Sequence, residues 1–335
     1  LNTEKIVARA ATLLTIGLLA ACTSGMTQPP AIESAALKPH HAGSWMSPGA
    51  AKQKNLLYVS DSGNYNVYVF AYPSGTLVGT LTGFDWPQGE CVDKAGDVFI
   101  TNARGHNILE YAHAGTSPIA TLTDSYGYPF ACAIDPKTGN LAVTDEVGDG
   151  NSQPAGDVLI YKNASGTPTQ YQDGGYPAIY YYDFCGYDDK SNLYVDGNTQ
   201  GYKAHFAFAE LPKGSSSFTN ITLSTYINYP GGIQWDGEHL AVGDQLSTPP
   251  TVYQIAFNGS KNTEVGATQL AGTSDVAQFW IPNLLNGQRK RGNIVAVDYG
   301  DPRDVGIWKF PKGGSAKQTL TGFDEPFGAA VSELK

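Results

Sequence analysis

The chain is short of charge. Lys, Arg, Asp and Glu supply 16% of its 335 residues, against about 25% in an ordinary soluble domain. Cations are the scarcer sign: 21 Lys and Arg stand against 31 Asp and Glu, for a formal net charge of −10. Nucleic-acid binding needs basic patches that neutralise phosphates, so this balance argues against it. Methionine occurs only 2 times, and a helical bundle would want more Met, Leu, Glu and Lys. No Gly-x-Ser-x-Gly elbow, phosphate-binding loop or dinucleotide fingerprint is present, which removes the common signatures of those chemistries. What is abundant points elsewhere. There are 39 Gly, 20 Pro and 20 Tyr, with 41% hydrophobic residues. Turn formers and aromatics on this scale, with enough apolar mass for a core, predict an all-β domain.

The first segment reads as an address. Lys5 and Arg9 precede an apolar stretch from Ala10 to Leu19, which is too short to span a bilayer as a mature helix. It ends in Leu19-Ala20-Ala21-Cys22. This small-residue site before a cysteine resembles the lipobox of bacterial lipoproteins. The resemblance implies cleavage before Cys22, acylation of Cys22, and anchoring in the cell envelope; Thr23 in the next position is compatible with the outer membrane. Several acyl chains hold a protein stably, whereas one alone is marginal. Residues 1–21 are therefore read as a signal peptide and 22–54 as the lipidated cysteine with a Pro, Ser and Ala-rich tether. His40-His41 in that tether lacks further metal ligands and reads as solvated linker.

Residues 55–335 repeat one pattern. Entry strands are PQGECVD (87–93), PFACAID (129–135), DFCGYD (183–188), PGGIQWD (230–236) and PFGAAVS (326–332), with a poor one near Phe279–Leu285. Second strands end in Asp61, Asn102, Asp145, Asp196-Gly197, Asp244 and Asp298. The period of about 41–54 residues is that of a propeller blade. Each unit holds four short antiparallel strands, the content of one blade. The last entry strand has nothing after it, so it is expected to pair beside Leu56–Ser60 and close the ring, removing exposed sheet edges. The Pro-x-Gly…Val-Asp entries, Asn-Leu-Tyr-Val-Asp and the aromatic third strands resemble the NHL-repeat and SMP-30-like six-bladed β-propellers, with a TolB-like architecture. The expected fold is an all-β, six-bladed propeller acting as a monomeric domain.

The loops between fourth and first strands, and between second and third, share one rim. It collects aromatics, among them Trp86, Tyr128, Tyr182, Tyr229, Trp280 and Phe327, and such rings suit ligand and partner contact. The strand-end acids Asp61, Asp145, Asp244 and Asp298 recur blade after blade, so each is expected to cap its own loop rather than perform chemistry. Asp145-Glu146, Asp149 and Asn151 form a weak Ca²⁺ candidate, as do Asp298, Asp301 and Asp304, without the spacing of an EF-hand. Likeness to SMP-30-like lactonases implies a metal in the channel, at positions that here hold Glu90, Cys132, Cys185 and Ile233. Only Glu90 of these suits a hard cation, so it reads as a charge at the channel mouth and no cofactor is expected. After Cys22, three cysteines remain, allowing one disulfide in three pairings. Cys132 and Cys185 hold equivalent positions on successive entry strands; the alternative is buried thiols.

These readings give a lipid-anchored, non-catalytic binding module whose aromatic rim meets an envelope protein, a glycan or a small molecule. The alternative is a divergent metal-dependent hydrolase or lyase in the channel.

Overall fold

The computed structural model describes residues 43–148, 155–173, 178–201, 204–259, 261–282 and 292–334. They form six sheets whose blade strands pair antiparallel, with one short parallel contact between Gly314–Ser315 and the Lys261–Ala271 strand. Their inner strands are Pro87–Val92, Gly127–Ile134, Tyr181–Tyr187, Pro230–Trp235, Val276–Trp280 and, for blade 1, the C-terminal Pro326–Glu333. Blade 1 closes as expected: Leu56 pairs Ser332 and Val59 pairs Ala329. The second strands sit between neighbouring blades, so both faces are covered. That is why Asn55–Asp61, NLLYVSD, is a nearly continuous apolar run and is buried along almost its whole length. Leu56, Tyr58 and Val69 of blade 1 pack on Val98 and Ile100 of blade 2. Each such side chain contributes about 1.5–3 kcal/mol on burial.

Two boundaries differ from expectation. Trp45–Met46, assigned by composition to the tether, adds a strand outside Thr76–Leu81, with Trp45 opposite Thr80. Ala50 follows it into the core. The weak entry strand of blade 6 is Val276–Trp280, several residues earlier than the Phe279–Leu285 reading. It lacks the proline that opens the pattern in PQGECVD, PFACAID, PGGIQWD and PFGAAVS.

Every inner strand carries a bulge near its start. Between Pro87 and Glu90 the strand advances three residues while its partner advances two, from Asn102 to Ile100. The same extra residue recurs in the other five blades. A bulge tightens the local twist and re-aims side chains. Here it lets inner strands approach until there is no room for a Cβ: one on Gly89 would lie 2.8 Å from the Ala131 Cα.

The polar groups freed by the bulges are satisfied across blades. The Ser60 hydroxyl donates to the Gln88 carbonyl and accepts from the Gly328 amide at 2.7 Å. Thr101 Oγ1 donates to Phe130 O at 2.9 Å, and Thr144 Oγ1 to Asp183 O at 2.7 Å. Asp196 accepts from the Phe184 amide at 2.9 Å and stands against the Gly231 amide of blade 5. Blades 5 and 6 have Gly243 and Val297 at this position. Gln278 of blade 6 closes the seam instead, donating to Glu90 O at 2.7 Å and accepting from the Glu90 and Ala329 amides at 3.0 and 3.3 Å.

One disulfide staples blades 2 and 3. It joins Cys91 to Cys132, with Cα atoms 5.7 Å apart, and leaves Cys185 as a buried thiol. The Cys132–Cys185 pairing is therefore corrected. Cys91 lies one position beyond the residue equivalent to Cys132, and that offset brings the two sulfurs together. Linking residues 41 apart restricts the unfolded chain by up to about 4 kcal/mol. Replacing both Cys91 and Cys132 by Ser is expected to lower unfolding free energy by about 2–4 kcal/mol in a urea titration, with the fold retained by circular dichroism. An unchanged midpoint would show that this link adds nothing.

Candidate functional site: the rim and the channel mouth

The rim is held by the strand-end side chains. Asp61 accepts from the amides of Asp324 and Glu325 at 3.0 and 2.9 Å. Asn102 accepts from Asp85 at 2.6 Å, Asp244 from Asn228 and Tyr229 at 3.0 and 3.2 Å, and Asp298 from Ser274 and Asp275 at 3.1 and 2.9 Å. These residues cap loops, as their recurrence suggested. They fix the segments that carry the rim aromatics.

Asp145 departs from this rule. In its blade Asp124 does the capping, accepting from the Tyr126 and Gly127 amides at 2.8 and 3.2 Å. The Asp145 carboxyl is buried against the Asp124 and Asp157 carboxyls, with no amide or hydroxyl donor on either oxygen. Burial, then the charges of Asp124 and Asp157, pushes it well above the usual carboxylate range. Burial likewise raises Asp157 to about 6, against the donated bond from Gln170. Among the described residues no three His, Cys, Asp or Glu side chains are grouped to hold a metal ion. Asp149 and Asn151 of the Ca²⁺ reading lie outside the described residues.

The channel is stoppered below the rim. Phe130, Phe184 and Phe327 come from three inner strands. The Phe130 ring meets Phe184 at 5.5 Å and Phe327 at 4.8 Å, and Phe184 stacks on Phe327 at 6.2 Å. Tyr299 stands edge-on to Phe327 at 5.9 Å. Beside this stopper lie three acids, Asp183, Glu146 and Asp275, of which the sequence reading singled out only Glu146, as part of a Ca²⁺ candidate. Asp183 occupies the second inner-strand position, where other blades hold Gln88, Phe130, Gly231, Ala277 and Phe327. That odd charge in an otherwise uncharged column was the available signal. Burial, then Glu146 and Asp196, raises Asp183 well above its ordinary range, while Asn198 donates to it at 3.2 Å. Burial brings Glu146 to about 7. It also brings Asp275 to about 7, with Asp298 adding to the shift. Tyr229 feels Asp183, Glu146 and Asp275 together.

The expected rim residues divide. Trp86 is half-buried with φ at 67° and the Arg104 guanidinium 4.5 Å over its ring, a cation–π pair. Tyr128 is half-buried against the His106 ring at 4.7 Å. Tyr229 is 39% exposed. Phe327 is in the stopper. Tyr182 is buried and its hydroxyl accepts from the Asp173 amide, so it braces a loop instead of displaying a ring. Trp280 is not on the rim. It ends its inner strand at the far end of the channel and packs against three core clusters. Glu90 is not a channel-mouth charge either. It is buried between blades 1 and 2, and burial pushes its carboxyl well above the usual range against the opposing effect of the Ala330 amide. Cys22 lies outside the described residues. Tyr226, another of the aromatics the sequence offers for this rim, is 81% exposed. Sequence reasoning missed Leu246, 41% exposed, whose carbonyl accepts from Asn228 Nδ2 at 3.2 Å beside Tyr229.

No protein-family model matches the chain, and no curated protein does. Among solved structures, a chain of a nidogen/laminin complex superposes with a TM-score of 0.62 at 12% identity, covering 83% of this chain and 98% of that one. The likeness shows the propeller fold.

The raised acids set a pH dependence. Between the ordinary carboxylate range near 4 and the folded values, the folded protein keeps protons that the unfolded chain has released. Stability therefore falls as pH rises through this window, which for Asp157, Glu146 and Asp275 runs up to about 6–7. Asp145→Asn supplies donors to Asp124 and Asp157 and removes one titrating group. It is expected to raise the melting temperature at pH 8 by about 2–4 °C, and by less at pH 5. A drop at both pH values would contradict the placement of Asp145 among the Asp124 and Asp157 carboxyls.

Proposed function

We propose that this protein is a non-catalytic binding module that meets its partner through the channel-mouth rim, tethered to a bacterial envelope by lipid on Cys22. One observation carries the rim reading. Of seven large hydrophobic residues left exposed among the described residues, Tyr65, Tyr226, Tyr229 and Leu246 are on rim loops. Trp86, under Arg104, adds a half-buried anchor beside them. Tyr and Trp with an apolar body and a polar handle are favoured where partners dock. The stoppered channel fits a surface that is covered rather than a passage that is traversed. The neighbouring propeller comes from a protein–protein complex, which is in keeping with a protein partner; a glycan or small molecule meets the same aromatic chemistry. The NHL-like repeat and the lipobox motif support the same picture.

A second reading, a hydrolase at the channel mouth, rests on the neighbouring Glu146 and Asp183 carboxyls. Glu90, its original basis, is sealed between blades.

Site-specific photocrosslinking in cells separates rim from remainder. A benzoylphenylalanine replacing Tyr226 or Tyr229 is expected to capture a discrete partner. The same group replacing Ile119, exposed at the opposite end of the blades, is expected to capture nothing specific. Equal capture from both ends would contradict the rim assignment. In the same cells, Cys22→Ser is expected to abolish palmitate labelling and release the domain from the membrane fraction.

A further inference from the structure

The other end of the channel carries a second feature, independent of the rim. Below the Phe130–Phe184–Phe327 stopper, the inner strands enclose a cavity of about 160 Å³. It is blind on the rim side and opens where the first and second strands of each blade join. All six inner strands contribute to its wall. Trp235, Trp280, Tyr187 and Phe279 bring aromatic rings, Ile233 and Ile281 bring aliphatic ones, and the Cys91–Cys132 bridge lies beside them.

Two of its polar wall groups, the Gln278 and Gln234 amides, are already engaged, and Glu333 adds a buried carboxyl. Gln278 spends both amide atoms on the Glu90 and Ala329 backbone, as described. Gln234 does the same with one residue: its Oε1 accepts from the Ile281 amide at 2.7 Å and its Nε2 donates to Ile281 O at 3.4 Å. The Cys185 thiol is buried, and burial pushes it up, so it stays neutral. The exposed Lys94 stands at the open end. Water needs two to four polar partners to be held in a cavity, and this wall offers it few. An apolar cavity of about 150 Å³ stays dry and admits benzene. Aromatic walls further favour a flat ring, which gains from edge and face contacts beyond its area.

We propose that this blind cavity is a binding site for a small, uncharged aromatic molecule of one or two fused rings, inserted between Trp235, Trp280, Tyr187 and Ile233 with its edge toward Lys94. The small volume disfavours larger ligands, the predominantly apolar and aromatic wall disfavours sugars, and the Glu333 carboxyl in that wall disfavours anions. The site is separated from the rim by the stopper, so ligand here and partner there engage different surfaces.

Indole is the probe. Isothermal titration of the purified domain is expected to give saturable binding with Kd below about 1 mM. In the unmutated protein, intermolecular NOEs from indole to methyl groups of Ile134, Ile233 and Ile281 are expected. Ala133, on the cavity wall, can be enlarged to fill it: Ala133→Phe is expected to weaken indole about tenfold or more, while Tyr229→Ala at the rim leaves it unchanged. Absence of saturable binding, or NOEs confined to residues outside the cavity, would overturn the proposal whether or not the Ala133→Phe variant folds.

Discussion

Six strands meeting around one axis must come closer than side chains ordinarily allow, and the bulge at the start of each inner strand is how this chain meets that constraint. The extra residue bends the strand and breaks its ladder, leaving carbonyls and amides in a region without water. A buried unpaired group costs about 1–3 kcal/mol. The residue just before each strand end supplies the remedy in four blades: Ser60, Thr101, Thr144 and Asp196 reach into the bulge and over to the next blade. Gln278 does this work at the seam where the ring closes. The next residue along, Asp61, Asn102, Asp244 or Asp298, turns outward and caps the rim loop. Scaffold and candidate binding face therefore descend from adjacent residues of one dipeptide.

The same geometry explains where the unusual groups lie. Because Asp124 has taken over loop capping, Asp145 is left among carboxylates without an amide or hydroxyl donor. Because the second inner-strand position faces the channel, Phe130 and Phe327 meet there and stopper it, and Asp183 brings a carboxyl beside them. The stopper divides the axis into a polar, aromatic-edged mouth and a blind apolar cavity. A ring with two chemically different ends presents two surfaces for recognition.

Much of the fold was legible in the sequence. Strands buried on both faces read as apolar runs, Pro-Gly entries and strand-end acids repeat at blade spacing, and an entry strand with no successor announces closure. The site was less legible for a definite reason. A bulge adds one residue, and one residue reverses which face every later side chain takes. Counting from the entry motif, Glu90 seems to reach the mouth; after the bulge it turns between blades. Trp280 has a different cause: with the blade 6 entry strand at Val276–Trp280 rather than near Phe279–Leu285, it ends the strand at the far side instead of opening it at the mouth. Tyr182 shows a second limit, since only its hydroxyl bond to the Asp173 amide distinguishes a brace from a displayed ring. Asp183 was visible as a lone charge in an uncharged column, but recognising that needs the strand alignment that the bulge disguises.

The dependence of the ring on its cross-blade hydroxyls is most directly tested at Thr144, which accepts from the Ala131 amide at 3.1 Å and donates to Asp183 O at 2.7 Å. Thr144→Val keeps the shape and removes the bonds. Equilibrium urea unfolding is predicted to show a loss of about 1–3 kcal/mol, with the slope of the transition unchanged. An unfolding free energy equal to that of the original protein would contradict the claim that these hydroxyls hold the bulged inner strands together.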